Sequence, residues 1–98
     1  MTINTTNENG TLLVTLAGRL DTTTAPQLEA ELKKSIGSNK MLTLDFAELE
    51  YISSAGLRVI LAAQKVMNKQ GEMVIKNVNE TIMEIFEVTG FVDILTIE

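Results

Sequence analysis

The amino-acid sequence predicts an α/β domain built on a mixed β-sheet that begins with an antiparallel hairpin. Three observations support this fold class. Strand-like segments alternate with amphipathic helical segments, each of the three helical segments ends at a glycine, and a short turn sequence joins the first two strand-like segments. Because a chain of 98 residues has room for one hydrophobic core, we expect a single domain over residues 1–98.

The two N-terminal strands are predicted from apolar and β-branched residues on either side of a turn. Residues 2–7 are rich in Thr and Ile and are suited to an edge strand, and Thr11–Ala17 has the composition of a second strand. Between them, Asn7–Gly10 contains the residue types of a tight turn. The next segment, Gly18–Asp21, is predicted to leave the sheet.

Capping signals define the first helix. Thr24 is a natural N-cap, Gln27 three residues later would complete a capping box, and Pro26 fits the first turn. Gly37 is positioned to end the helix as a C-terminal cap. The helix should bury one apolar stripe, which consists of Ala25, Leu28, Leu32 and Ile36.

The middle of the chain predicts a central strand and a second, largely buried helix. Met41–Phe46 is apolar enough for a central strand, and residues 47–52 are expected to form a loop. The helix then begins at Ser53 or Ser54 and continues to about Gln70, where a glycine stops it. Its broad apolar face should lie against the sheet and consists of Leu57, Ile60, Leu61, Ala63, Val66 and Met67.

The last quarter of the chain predicts one more strand, a third helix and a closing segment. Glu72–Lys76 has the composition of a strand, and Asn79 is the N-cap of a helix that ends at Gly90. Phe91–Ile97 is predicted to be a closing strand or an extended segment.

The composition excludes several classes of function. The chain has no Cys and no His, which removes thiol and imidazole nucleophiles, bases and metal ligands, so we expect no metal site and no cofactor. A net charge of −5 argues against nucleic-acid binding. No apolar run approaches the roughly 20 residues of a membrane helix, and the N-terminal sequence lacks the basic and apolar parts of an export signal. We therefore expect a cytoplasmic protein with no membrane insertion.

The segment Tyr51–Arg58 is the most informative about function, because it leads from a buried strand into a buried helix. The free backbone N–H groups and the dipole of a helix N-terminus favour an anionic group such as a phosphate. A serine there can cap the helix or receive a phosphate. Gly56 in the first turn costs about 1 kcal/mol of helix propensity relative to Ala, which suggests the close approach of a partner. The residues alone favour a simpler interpretation, in which the serine is only a cap and Gly56 only permits tight packing on the strand.

Catalysis by this segment is disfavoured by its residues, so we do not expect an enzyme. Without His, a serine nucleophile would need Lys, Asp or Glu as its base, and neither Ser53 nor Ser54 has an S-x-x-K spacing. The segment also lacks the G-K-[ST] of a phosphate-binding loop. An acid/base pair or a hard-cation site would have to be built from loop carboxylates, which are usually only solvated: Asp21, Asp45, Glu48 and Glu50.

Asp21 is the second candidate, since it follows a strand and precedes a helix cap. In the structural interpretation its side chain only closes an Asx turn before the helix. In the functional interpretation it lies close to Ser54, provided that the two preceding strands end at the same edge of the sheet.

Taken together, these features resemble the anti-sigma factor antagonists, the single-domain members of the STAS family. The resemblance extends from about Ile3 to Ile97, and its motifs are Gly18–Asp21, Leu42–Phe46, Tyr51–Leu61 and Phe86–Phe91. It implies a mixed sheet of four or five strands with an N-terminal antiparallel hairpin and three or four helices mainly on one face. It also implies a binding protein that regulates sigma-factor-dependent transcription.

In this family an anti-sigma factor that is an ATP-dependent serine kinase phosphorylates a serine two residues before a Gly-Leu pair. That spacing implies Ser54 as the acceptor here, with Ser53 as the second choice. The unphosphorylated protein would bind the anti-sigma factor and free the sigma factor, and a serine phosphatase would restore it. The partner-binding residues that the resemblance implies are Asp21, Thr22, Ser53, Ser54, Ala55, Gly56 and Arg58.

Two alternatives remain open from the sequence. STAS-like domains also serve as docking modules, without phosphorylation, in transport or lipid-handling complexes, where Ser53 and Ser54 would be only caps. A small ligand or nucleotide could instead bind at the N-terminus of the second helix, although the chain has no phosphate-binding loop.

Overall fold

Four strands and three helices follow one another in the computed structural model, which describes residues 1–98. The strands are β1 (Thr2–Glu8), β2 (Thr11–Leu20), β3 (Met41–Ile52) and β4 (Glu72–Lys76). The helices are α1 (Ala25–Ser35), α2 (Ser54–Gln70) and α3 (Glu80–Thr89), and a short 3-10 turn, Phe91–Asp93, follows α3. None of the helices is long and apolar enough to cross a membrane.

The strands form one mixed sheet in the order β1-β2-β3-β4. β1 and β2 are antiparallel, whereas β2, β3 and β4 run parallel, so the α/β fold and the N-terminal hairpin are confirmed with four strands. The hairpin turns through Asn9 and Gly10, whose φ angles of 51° and 81° are those of the two central residues of a type I′ turn.

The helices pack on one face of the sheet. Side chains alternate along a strand, and on β2 the buried residues Leu12, Val14 and Leu16 share a face while Leu13 between them remains 37% exposed. The predicted stripe of α1 is buried as expected, and on the same side of the sheet the ring of Phe86 from α3 lies 6.5 Å from that of Phe46 on β3. The opposite face of β2 carries no comparable cover.

Two predicted boundaries in the sheet are wrong. β2 does not end at Ala17 but continues to Leu20, and residues 47–52 are not a loop but the second half of a 12-residue β3. The β2–β3 register explains why the pattern was hidden. Between Thr15 and Ala17 the partner strand advances from Asp45 to Glu48, three residues against two, and the register shifts again after Gly18. Each such bulge breaks the alternation of buried and exposed residues that identifies a strand.

The ends of the helices are partly as predicted. Gly37, Gly71 and Gly90 follow α1, α2 and α3 as expected, and the Asn79 side chain caps α3 by accepting a hydrogen bond from Ile82 N at 2.8 Å. The capping box of Thr24 and Gln27 is wrong, because the Thr24 side chain makes no cap bond to α1.

The prediction of a closing strand or an extended segment over Phe91–Ile97 is wrong for the first residues of that segment. Phe91–Asp93 forms the 3-10 turn, and only one residue of the tail, Ile97, forms an isolated parallel bridge, with Ile75 of β4. The C-terminal segment follows a glycine with φ 81° at Gly90, which directs Phe91–Asp93 back against α3 before Ile97 reaches the edge of β4. The ring of Phe91 consequently stacks at 6.4 Å on that of Phe86.

Candidate functional site

The candidate site lies at the carboxyl ends of the two central, parallel strands, β2 and β3. Leu20 and Ile52 are paired across these strands, and Ser53 N donates a hydrogen bond to Leu20 O at 2.9 Å. The loops that leave the two strands are therefore neighbours, which meets the condition under which Asp21 was predicted to lie near Ser54.

Ser53 is the N-cap of α2. Its backbone is extended, with φ −100° and ψ 177°, and its hydroxyl accepts a long hydrogen bond of 3.5 Å from Gly56 N. Its carbonyl accepts from Leu57 N at 2.9 Å, the first turn of the helix. Ser53 is thus used by the fold as a cap, which is the structural role considered for this serine.

Ser54 is the first residue of α2 and is exposed. No hydrogen bond within the protein engages its hydroxyl, in contrast to that of Ser53. The first turn of α2 contains no acidic side chain, so the positive end of the helix dipole is not neutralised locally. An exposed hydroxyl at this position can be reached by an enzyme and can carry a negative charge with little cost to the helix.

Gly56 is required by the packing of the chain on itself. A Cβ atom at this position would lie 2.7 Å from Cγ of Leu20 and 2.8 Å from Cγ1 of Ile52, both of them buried. The close approach that Gly56 permits is therefore to the ends of β2 and β3, and not to a partner. It brings the N-terminus of α2 down onto this edge of the sheet.

The neighbours of Gly56 differ in what they offer to another molecule. Ala55 is half-buried and packs against the core, whereas Arg58, one turn along α2, is exposed. Thr22 is exposed in the neighbouring loop. Of the predicted contact residues, the structure therefore leaves the side chains of Thr22, Ser54 and Arg58 fully available at the surface.

Asp21 organises the β2–α1 loop. Its Oδ1 accepts hydrogen bonds from Thr23 N at 3.0 Å and from Thr24 N at 3.2 Å, which is the Asx turn of the structural interpretation. The Thr24 hydroxyl in turn donates to Arg19 O at 2.8 Å and accepts from Asp21 N at 2.9 Å. The hydrogen bond from Thr24 N is the main cause of the lowered pKa of Asp21. The bonds from Thr23 N and from the Thr24 hydroxyl, and the charge of Arg19, lower the pKa further.

Arg19 and Tyr51 form a pair that the sequence analysis missed. They face each other across β2 and β3, and the guanidinium carbon of Arg19 lies 4.5 Å from the centre of the Tyr51 ring. Arg19 Nε is also 3.9 Å from Oδ2 of Asp21. Recognising this pair would have required knowing that both residues belong to paired strands, and both had been assigned to segments outside the sheet.

A third loop, between β4 and α3, adjoins the same region. Asn79 Nδ2 donates to Leu49 O at 2.9 Å, and Asn77 Nδ2 donates to Oδ1 of Asp45 at 2.9 Å. The bond from Asn77, joined by one from Ala47 N, lowers the pKa of Asp45. Asp45 is therefore occupied in fixing this loop.

Nothing among the side chains of this region resembles a metal centre. No group of three or more acidic residues is arranged to hold an ion. Glu48 and Glu50, the other acidic residues considered above, are exposed on β3. The arrangement offers an exposed hydroxyl, a helix N-terminus and a small polar surface, which suit binding to another protein.

Comparison with protein families and known relatives agrees with this arrangement. The model of the STAS domain matches residues 2–98. The chain is 38% identical over 91 residues to BtrV of Bordetella bronchiseptica, a candidate anti-sigma factor antagonist, covering 91% of this chain and 78% of that protein. It is 32% identical over 92 residues to the anti-sigma-B factor antagonist of Bacillus subtilis, covering 93% of this chain and 84% of that protein.

Solved structures share the fold at lower sequence identity. The crystal structure of an anti-sigma factor antagonist from Mycobacterium paratuberculosis matches with a TM-score of 0.89 at 22% identity, over 98% of this chain and 83% of that one. The phosphorylated form of the Bacillus cell fate determinant SpoIIAA matches with a TM-score of 0.77 at 19% identity, over 99% of this chain and 91% of that one. From the matching family model, the sequence relatives and the shared fold, we conclude that the chain belongs to the STAS domain family.

Proposed function

We propose that this protein is an anti-sigma factor antagonist whose binding to its anti-sigma factor is controlled by phosphorylation of Ser54. The observation that carries the proposal is the contrast between adjacent serines: the Ser53 hydroxyl is held as a helix cap, while Ser54 is exposed and its hydroxyl is free. The names of the sequence relatives support the partner class, and a phosphorylated structure of a protein with this fold supports the modification.

The anti-sigma factor would be both the partner and the serine kinase. In the unphosphorylated state the protein binds it through the surface around Asp21, Thr22, Ser53, Ser54 and Arg58, and the sigma factor is released for transcription. A serine phosphatase returns the modified protein to the binding state. The protein is then the substrate of catalysis and not the catalyst, and the switch operates in the cytoplasm.

Phosphorylation would change the interface more than the fold. A phosphoserine carries about −1.5 to −2 charges at pH 7. The free N–H groups and the dipole at the start of α2 accommodate this charge. At a contact surface, by contrast, like charges brought together cost several kcal/mol, so the added charge opposes binding to an acidic partner surface, and the net charge of −5 adds to that repulsion. Binding therefore weakens while the domain stays folded.

The difference in affinity between the unphosphorylated and phosphorylated states can be measured by comparing Ser54→Ala with Ser54→Asp. We expect Ser54→Ala to bind the cognate anti-sigma factor with the affinity of the unphosphorylated protein, and Ser54→Asp to bind at least about tenfold more weakly in isothermal titration calorimetry. Ser38→Asp is the matched control, because it adds the same charge at an exposed position just before β3. This position is at the amino end of β3, whereas Ser54 follows its carboxyl end. Equal affinities for Ser54→Ala and Ser54→Asp would overturn the proposal.

A further inference from the structure

The first strand leaves one edge of the sheet open. β1 is the terminal strand of the order β1-β2-β3-β4, and its outer side pairs with nothing, whereas the β4 edge is partly covered by the bridge between Ile75 and Ile97. Six of the seven residues of β1 are exposed. Natural proteins protect such edges with Lys, Pro, bulges or short strands. β1 has none of these devices, since its sequence is TINTTNE and its seven-residue register with β2 is unbroken.

The hairpin determines which backbone groups of β1 point outward. With a two-residue turn, the flanking residues Glu8 and Thr11 form a hydrogen-bonded pair, and hydrogen-bonded and non-hydrogen-bonded pairs then alternate along the antiparallel ladder. Consequently Ile3, Thr5 and Asn7 do not use their N–H and C=O groups toward β2. These three residues present both groups at the free edge, symmetrically about Thr5.

An edge of this kind is complementary to itself. If a second β1 runs antiparallel about a two-fold axis at Thr5, Thr5 faces Thr5 of the second copy, and Ile3 faces Asn7 of the second copy. Each of these pairs exchanges two hydrogen bonds. The single charged residue of β1, Glu8, then faces Thr2, so no like charges face each other in the strand pair despite the acidic character of the whole chain.

We propose that β1 pairs with β1 of a second copy of this chain, joining two four-stranded sheets into one continuous sheet. The partner is a second copy because the outward groups, the side-chain pairs and the charge all match under a two-fold axis. An interface made of one strand pair is smaller than that of an obligate dimer. The association is therefore reversible and concentration-dependent.

The dimer leaves the surface around Ser54 free. Two copies of β2 run in opposite directions on either side of the axis. Their carboxyl ends therefore point in opposite directions, and the two Ser54 residues lie at opposite ends of the strands of the joined sheet. Partner binding and self-association are thus independent. A failure of the phosphorylation switch and a failure of dimerisation would be seen in different experiments.

Substitution of Thr5 tests the proposal without disturbing the fold. Thr5→Pro removes one outward N–H group and no bond to β2, and proline is tolerated on edge strands. Thr5→Val is the matched control, because it keeps the N–H group and favours a strand. Thr5→Lys places two like charges at the two-fold axis. Circular dichroism and thermal unfolding verify that each variant is folded.

Sedimentation velocity over a concentration series up to about 1 mM measures the dimer. We expect the wild type and Thr5→Val to dimerise, and Thr5→Pro and Thr5→Lys to raise the dissociation constant at least about tenfold. Hydrogen exchange at Ile3, Thr5 and Asn7 should slow as the wild-type concentration rises. A wild type that stays monomeric throughout, or a dimer that Thr5→Pro leaves intact, would overturn the proposal.

Discussion

Two strand-to-helix junctions lie side by side at one edge of the sheet, and they use their hydroxyl groups in opposite ways. At the β2–α1 junction, the Thr24 hydroxyl makes two backbone hydrogen bonds and the Asp21 carboxylate accepts two more from backbone N–H groups. At the β3–α2 junction, Ser53 makes a single long cap bond and Ser54 makes none through its side chain. The first junction is closed by its own residues, and the second is held by packing at Gly56.

The difference shows how a rigid position and a free side chain can coexist. The N-terminus of α2 is located by buried contacts with Leu20 and Ile52 and by the backbone bond from Ser53 N. The Ser54 side chain is therefore not needed to hold the loop, and that of Ser53 adds only one long cap bond. Ser54 can be modified without loss of the contacts that place it, whereas Asp21 and Thr24 could not be changed so freely, because their side chains close the first junction.

Gly56→Ala should have a larger effect on stability than the removal of either junction hydroxyl, because it disturbs the packing that holds the second junction. The added methyl group would overlap the buried side chains of Leu20 and Ile52. Overpacking of this kind costs about 1–3 kcal/mol, and the better helix propensity of Ala returns less than about 1 kcal/mol. We expect a net loss of about 1–2 kcal/mol in the free energy of unfolding, measured with urea.

Leu20→Ala provides the matching control for that substitution. By itself it should destabilise the protein through a cavity. Combined with Gly56→Ala it should cost less than the sum of the two changes, because the smaller side chain relieves the overlap. Additive effects would show that the contact between α2 and the end of β2 does not determine the position of the helix.

Removing one hydroxyl from each junction should lower the free energy of unfolding by unequal amounts. Thr24→Val removes the hydroxyl that bonds Arg19 O and Asp21 N, and because one bond is exposed and the other part-buried we expect a loss of about 1 kcal/mol. Ser53→Ala removes only a 3.5 Å bond, and the expected loss is about 0.5 kcal/mol. Urea denaturation of the two variants under the same conditions makes the comparison. A larger loss for Ser53→Ala would reverse the roles assigned to the two junctions.

The smallest expected effect is the loss of stability when the Asp21 carboxylate, at the β2–α1 junction, is protonated in acid. Hydrogen bonds to the ionised carboxylate lower the pKa of Asp21 in the folded protein, first that from Thr24 N. The stabilisation from Asp21 is therefore present above its unfolded pKa and is lost as the pH falls through the folded value.

The test compares the pH dependence of unfolding in the wild type and Asp21→Asn. Below about pH 5 the urea midpoint of the wild type should fall more steeply than that of the variant. Asp45 has a lowered pKa for a similar reason, so some acid sensitivity remains in Asp21→Asn. Asp93→Asn, at an exposed position in the 3-10 turn, controls for the loss of one negative charge. Parallel curves for the wild type and Asp21→Asn would remove the role of the Asx turn in stability.

Local signals predicted the helices better than the full extent of the strands. The apolar stripe of α1 and the capping residue Asn79 are properties of neighbouring residues, and both are confirmed. The second half of β3 was missed because its buried residues Phe46, Leu49 and Ile52 are three apart, a spacing that a bulged strand produces and that alternation cannot reveal.

The candidate site was predicted only in part for the same reason. Ser53 and Ser54 could be located because helix capping is local, but which of the two would remain free depends on the geometry of the first turn. A glycine is needed at position 56 because Leu20, which is distant in sequence, packs against it. The contact between Arg19 and Tyr51 depends in the same way on the register of two strands. Contacts between segments far apart in the chain cannot be derived from local patterns.

The most direct measurement for the central claim is the site of phosphorylation. The protein would be incubated with ATP, Mg²⁺ and the cognate anti-sigma factor, and its intact mass and modified peptide would be determined by mass spectrometry. We predict one added phosphate, on Ser54, that is retained in Ser53→Ala and lost in Ser54→Ala. A phosphate on Ser53, or no added phosphate from a kinase that is active on another substrate, would contradict the account and favour a docking module without phosphorylation.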